Sequence, residues 1–489
     1  MEIKEPVGGQ LEILSRSDLD AVHNATVEVL GRLGVKVWES EALDLFEKAG
    51  AETDRKTMMV RIPEDVLKET ISKAPSEFVL YGRDPKYRLR MGERRVHFGP
   101  SSDCLRVHDL EGRIRQPNLK DVGNLARIAD YCENIHHAST MVTPSDVPDD
   151  MYSLYVTWEA WKNSIKTTDG SNYGAREAQE TVELAAILRG GHEELRKMPT
   201  LLGYMNPVSP MQLSKELLEG AILYARHNQP MIFAPEALAG GTAPATLAGV
   251  LVQQNAEVLS GIMVSQLANP HSPVLYGTVS TVLDMRTCMA ALGAPEVGLL
   301  NVASAQMARY YNLPSRGTGG NTDSKLLDYQ SAAETSQSIL MAALAGMNYI
   351  CCAAGNFDAS LAISYEKVVM DNEICGMVSR TLQGISITDE TLAVNEICAV
   401  GSASGHLARP FTNKMFRKEH YLPSILDRKS RDAWEKEGGK DLGMVAREEA
   451  RRILRTHSPE PLDASVSSEI ENYIKECSKR HAKDANAKK

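Results

Sequence analysis

The stretch LPSRGTGGNTDSKLLDY, residues 313–329, carries the pattern on which the fold is read. A short apolar lead-in reaches Arg316. Gly317, Gly319 and Gly320 follow, then Asn321, Thr322 and Asp323, then apolar residues at helical spacing. Glycines let the backbone take positive φ and approach a ligand closely. Thr322 or Asp323 is placed to cap the helix that follows, and free N–H groups there favour anions. In a repeating β/α protein such strand-to-helix loops carry the active site. An ordinary capped turn has the same composition. A single Arg among so many small residues sets this one apart.

Working outward, the same alternation recurs in form though not in sequence. Strand-like apolar runs fall near 96–99, 136–142, 164–168, 200–205, 231–234, 273–277, 313–316 and 347–353. Amphipathic helices are predicted between them, at 118–133, 151–161, 175–189, 213–226, 245–268, 295–311 and 326–346, with a last one at 365–383. That is about eight β/α units, the rhythm of an α/β TIM (β/α)8 barrel. No GxGxxG follows the first strand, which disfavours a doubly wound sheet. Residues 1–94 read as a separate N-terminal α/β cap, 95–385 as the barrel and 386–489 as a C-terminal helical extension. The final HAKDANAKK reads as a frayed end.

Composition narrows the class. The chain has 489 residues, 43% hydrophobic and 24% charged, enough for a large core. A net charge of −10 argues against nucleic acid or an anionic membrane as partner. Eight Cys occur without a CxxC pair, the N-terminus is polar, and apolar runs such as 339–347 are too short to span a bilayer. A reduced, cytoplasmic protein is expected.

The loops after the strands are rich in Gly, Ser, Thr, Asn and Pro. Their few charged residues are Asp103, Asp146, Asp169, Glu236, Arg316, Asp323 and Asp358. Aromatics sit at the same ends: Phe98, Tyr173, Tyr204, Phe233, Tyr276, Tyr349 and Phe357. No HExxH, P-loop or GxSxG occurs, and no nucleophile neighbours a base. His136–His137 and Cys351–Cys352 adjoin on strands, so each pair is expected to point to opposite faces and not to share a metal. Glu334 either lies exposed on its helix or faces the pocket. An aromatic, weakly charged pocket with one Arg suits a ligand with a cationic apolar head and a carboxylate. Residue chemistry alone leaves a metal-dependent barrel lyase or aldolase, or an osmolyte-binding protein, as competing readings.

GTGGNTDSKLLDYQSAAE (317–334), AALAGMNYI (342–350), SYEKVVMDNEI (364–374), LQGISITDETLAVNEICAVGSASGHL (382–407) and FRKEHYLPSILDR (416–428) resemble the trimethylamine methyltransferase family, and the likeness extends to GGQLEILS (8–15). The resemblance implies a barrel enzyme that moves a methyl group from an amine to the Co(I) corrinoid (cobalamin) of a separate carrier protein. It implies no tightly bound cofactor of the chain's own and no covalent catalytic residue; the dispersed His and Cys speak against a metal site, and a homo-oligomer is expected. Trimethylamine members carry pyrrolysine, whereas every position here is a standard amino acid. That favours the branch that demethylates quaternary amines, with glycine betaine first and proline betaine or carnitine next. A quaternary ammonium already has a neutral amine as leaving group. Its enzyme has only to orient one N–CH3 and exclude water. Expected substrate-binding residues are Arg316, Phe98, Tyr204, Phe233, Tyr276, Asn321, Asp323, Phe357 and Glu236. Gly317, Gly319, Gly320, Gly355 and Asn356 are expected to face the corrinoid, with loops 236–244, 317–323 and 355–360 forming the rim.

Overall fold

In a computed structural model of the chain, which describes residues 6–402 and 405–487, seven parallel strands form one sheet. The strands are His97–Phe98, Thr168–Asp169, Leu201–Met205, Met231–Phe233, Val274–Gly277, Ser315–Thr318 and Tyr349–Cys351. In space the first pairs with the last, and the others follow in chain order back to Thr168–Asp169. The gap between the first two is bridged by residues 136–138. The His136 N–H donates to Phe98 O at 2.7 Å, His137 pairs with Thr167, and the Ala138 N–H donates to Thr167 O at 2.8 Å. The sheet thereby runs round on itself. The run expected as a strand at 136–142 contributes this bridge and no longer ladder.

Short strands buried on both faces read as plain apolar runs. In Met231–Phe233, Ile232 joins the interior cluster with Leu202, Leu275 and Tyr349, while Met231 and Phe233 pack outward under the helices. Helices Leu119–Tyr131, Tyr152–Asn163, Gly174–Arg189, Lys215–Arg226, Leu247–Ala268, Pro295–Tyr310, Tyr329–Leu344 and Tyr365–Leu382 form the outer layer. Leu247–Ala268 is, among the described residues, the one helix long and apolar enough to cross a membrane, and it is 72% buried as a core helix.

The N-terminal residues do not stand apart. Helix Arg16–Arg32 shares its core with Leu247–Ala268, and strand Val35–Val37 pairs in parallel with Gln212–Leu213. The hairpin Glu77–Tyr81/Arg88–Gly92 inserts Leu80, Leu89 and Met91 into the interior at the N-terminal ends of the strands. There the Tyr81 N–H donates to Pro199 O at 2.8 Å and Asn348 Nδ2 donates to Gly92 O at 2.9 Å. At the opposite end, loops fold into two small sheets. One joins Asn356–Phe357, Ala362–Ser364, Arg106–His108 and Ile114–Arg115; the other joins Leu238–Ala239, Thr281–Asp284 and Met289–Ala291.

The chain end is not frayed as expected. Helix Ala464–Ala487 runs through most of it, and His481 Nε2 contacts buried Glu180 at 2.7 Å. Lys488 and Lys489, and Ala403 and Ser404 within the GSASGHL block, lie outside the described residues.

Candidate active site

The interior at the C-terminal ends of the strands is polar. Arg316 pairs in register with Tyr349, so both project to the same face of the sheet. Arg316 is only 4% exposed. Its Nη1 donates to Thr278 O at 2.9 Å, and its guanidinium lies 5.8 Å from the centre of the Tyr204 ring. Its Nε, and the hydroxyls of Tyr204 and Tyr349, find no well-formed hydrogen bond among the described residues. Unpaired buried donors of this kind are expensive unless something arrives to accept from them.

Cys351 and Cys352 depart from the expectation of opposite faces. Cys352 takes φ 61° just past its strand, and the two sulfurs come to 3.8 Å. The Cys352 thiol, and after it the Arg316 guanidinium, hold the Cys351 thiol below its ordinary range against the burial that opposes them. Glu236 sits near Arg316 as well. Burial raises its carboxyl and Arg316 opposes the rise, while its residue surface remains open to solvent.

Beside this cluster lies an open cleft lined by Asp103, Asp169, Tyr152, Tyr173, Tyr204 and Asn172 among others. Asp169 Oδ1 accepts from His137 Nε2 at 2.8 Å, and Thr167 Oγ1 meets the other ring nitrogen at 2.8 Å. The Tyr152 hydroxyl donates to Asp103 Oδ1 at 3.1 Å. Tyr204 belongs to both groups and links them. Together they offer hydrogen-bond donors at one end and carboxylates among aromatic rings at the other. That set matches a small ligand bearing an anionic group and a cationic, methylated head.

Several expected site residues lie elsewhere. Phe98 stacks on His136 with ring centres 5.7 Å apart, within the outer core. Phe233 packs against helix Leu247–Ala268, where a Cβ on Gly261 would come within 2.4 Å of its ring. Tyr276 donates to Asn255 Oδ1 at 3.0 Å, also on the helix side. These three face away from the interior because their strands start one residue out of phase with the aromatic position. Phe357 stacks on His108 at 5.3 Å in the four-stranded cover sheet. Asp323 is engaged by the N–H groups of Leu292 and Gly293, each at 3.1 Å. It does not cap the helix; Asp328 does, accepting from the Ser331 N–H.

Glu334 faces the Gly-rich loop rather than the pocket, accepting from Thr322 Oγ1 at 2.6 Å and the Asp323 N–H at 2.9 Å. The Gly319 and Gly320 N–H groups are committed to Cys351 O and Ser338 Oγ. The loop is therefore not an anion nest. Gly317, Gly319, Gly320, Gly355 and Asn356 are all buried and do not form an exposed rim. A Cβ at Gly317 would meet Met347 Sδ at 2.1 Å and Asn301 Oδ1 at 2.3 Å, on the helix side. Asn321 and Asn356 meet through Ser360 beneath the cover sheet, with Asn321 Nδ2 and Asn356 Oδ1 unpaired. The exposed apolar surface around the opening comes from Leu105, Tyr173, Met285, Met289, Leu326 and Tyr329, in loops that follow different strands; Tyr329 is 88% exposed.

Sequence reasoning had Asp103, Asp169 and Tyr173 among its loop residues without joining them, and it missed Tyr152. Among the described residues no three His, Cys, Asp or Glu side chains converge in a metal-binding arrangement.

Comparison with known proteins adds ancestry. A family model described as trimethylamine methyltransferase (MTTB) matches residues 2–482. A glycine betaine methyltransferase of Desulfitobacterium hafniense (strain Y51) is 34% identical over 465 residues, covering 94% of this chain and 96% of its own length. A trimethylamine methyltransferase MttB of Desulfitobacterium hafniense (strain DSM 10664 / DCB-2) is 35% identical, covering 94% and 93%. The MttB of Methanosarcina thermophila is 34% identical, covering 95% and 97%. Among solved structures, the monomethylamine methyltransferase (MtmB) of Methanosarcina barkeri superimposes with a TM-score of 0.51 at 12% identity, over 93% of this chain and 89% of that one. At that identity the likeness concerns the fold.

Proposed function

Because this chain belongs to the trimethylamine methyltransferase family, we propose that it takes a methyl group from a quaternary amine bearing a carboxylate and passes it to the Co(I) corrinoid of a separate carrier protein. Glycine betaine is the favoured substrate, with proline betaine and carnitine in the same class. The observation that carries the reading is the buried Arg316 guanidinium, held by Thr278 O and beside Cys351 with its Nε outside any well-formed hydrogen bond, next to the Tyr204 and Tyr349 hydroxyls, which face each other. A buried guanidinium and a hydroxyl pair on one interior face suit an acceptor such as a carboxylate. Trimethylamine has none, and a site built to hydrogen-bond its ligand discriminates strongly against one that lacks the partner.

The ammonium head belongs in the neighbouring cleft. Tyr152, Tyr173 and Tyr204 supply ring faces there, and Asp169 supplies negative charge. The chain's part in the reaction is to hold the amine by its two ends, turn one N–CH3 outward and exclude water. The corrinoid supplies a nucleophilic cobalt that accepts the methyl group. The Leu80, Leu89 and Met91 side chains fill the interior from below, so a macrocycle meets the amine only from outside the strand ends. The exposed apolar residues there suit a small, transient interface with the carrier.

The purified protein, given reduced cobalamin and a panel of glycine betaine, proline betaine, carnitine and trimethylamine, is expected to form N,N-dimethylglycine from betaine. Turnover of trimethylamine with none of the carboxylate-bearing amines would sink the substrate class. Stoichiometric divalent metal with lyase activity would instead favour the metal-dependent barrel enzyme.

A further inference from the structure

Two carboxylates face the cleft from different units of the barrel. Asp169 ends its strand and is fixed by His137, which Thr167 fixes in turn. Asp103 lies in the loop after His97–Phe98, at φ 54°, and receives the Tyr152 hydroxyl from helix Tyr152–Asn163. Asp103 is thus faced by Asp169, by Tyr152 and, from strand Tyr349–Cys351, by Cys351; Tyr173 and Tyr204 complete the lining. With Asp169 nearby, the Asp103 carboxyl ionises less freely.

The proposed reaction creates a need that this pair meets. Breaking the C–N bond leaves its electron pair on nitrogen, and the departed tertiary amine stands ready to take the methyl group back. With the carrier covering the opening, bulk water is a poor source of protons. We propose that Asp103 gives its proton to the newly formed tertiary amine, while Asp169 with His137 holds the ammonium head beforehand. The inference rests on the functional reading above. The balance is simple. The acceptor contributes the electron pair of the new bond to the methyl carbon. The C–N pair stays on nitrogen and then binds the Asp103 proton, leaving a carboxylate beside a tertiary ammonium. Asp103 keeps residue surface open to solvent, but desolvation of its carboxyl group and then the nearby Asp169 push that carboxyl up to about 7, so about half of it holds a proton in neutral solution and more does below. A neutral Asp103 also avoids gripping the quaternary cation more tightly than the transition state, in which that positive charge is fading.

The test is Asp103→Asn, which keeps the shape and tolerates the left-handed backbone. Calorimetry without any methyl acceptor compares betaine with N,N-dimethylglycine, whose ammonium N–H is the group that pairs with ionised Asp103. Betaine affinity is expected to stay within about threefold and dimethylglycine affinity to fall about tenfold or more, the loss of one charge-assisted hydrogen bond. In turnover with cobalamin, kcat is expected to fall about tenfold or more with KM little changed. Wild-type kcat should decline as pH rises through about 7, and the variant should lose that decline. Equal loss of both ligands, or an unchanged pH profile in folded variant, overturns the role of Asp103 while leaving the functional reading intact. Failure of betaine to bind the wild type overturns both.

Discussion

Arg316→Ala is the substitution that bears most directly on the substrate. In the folded chain Arg316 donates one nitrogen to Thr278 O, lies beside Cys351 and leaves Nε without a well-formed hydrogen bond. A bound carboxylate would gain one or two charge-assisted hydrogen bonds from it. Each such bond contributes about 1.5–3 kcal/mol, and part of that survives in the two tyrosine hydroxyls, so the net loss is about 2–4 kcal/mol. That converts to roughly 30- to 700-fold in Kd for betaine. Choline, which has the same trimethylammonium head and no carboxylate, provides the internal control and should bind both proteins equally. Isothermal calorimetry measures both ligands, and circular dichroism checks the fold, because Thr278 O loses its partner. Arg316→Lys should fall between, keeping the charge without the planar fork. Folded Arg316→Ala protein that binds betaine within about threefold of wild type would refute the carboxylate role and leave Arg316 as a structural partner of Thr278 and Cys351.

Other outcomes follow from where the side chains lie. Tyr329→Asp combined with Met285→Asp should slow methylation of the carrier-bound corrinoid about tenfold or more, with betaine affinity unchanged, since both residues are exposed at the opening and outside the cleft; equal rates with the carrier would move the docking surface elsewhere. Phe233→Ala should cost about 3–5 kcal/mol of stability in a denaturant titration, as a buried ring is lost against Gly261, yet leave betaine binding alone; a specific loss of binding would restore Phe233 to the site. Gly317→Ala should destabilise by several kcal/mol or rearrange Met347 and Asn301, read by melting temperature, because its Cβ has no room.

The alternation of strand and helix was legible because fully buried strands and amphipathic helices write distinct patterns. Helix Pro295–Tyr310 and strand Leu201–Met205 fall within a residue or so of their expected places. The direction of individual side chains was not legible. In strands of two to five residues, a shift of one position decides inside from outside. Tyr204 and Phe233 look alike in sequence, yet the first lines the cleft and the second packs under a helix. Arg316 and Tyr349 share a face through a register that no local pattern encodes. Tyr152 begins a helix in one unit and serves a carboxylate from another. The small-residue loops misled for a related reason. Gly317, Gly319 and Gly320 let neighbouring backbone and side chains come close, so space that a sequence suggests for a ligand is filled by the protein itself.

The hairpin Glu77–Tyr81/Arg88–Gly92 has a kinetic consequence. By stopping the N-terminal end of the interior with Leu80, Leu89 and Met91, it leaves, among the described residues, the C-terminal end as the door. If the carrier closes that door to receive the methyl group, the amine must already be inside, and its demethylated remainder must wait until the carrier departs. Traffic through one door is ordered traffic: small molecule first in and last out, with the carrier's visit nested between. Steady-state analysis should then show a compulsory order of addition, in which excess carrier inhibits by shutting the door on an empty chamber.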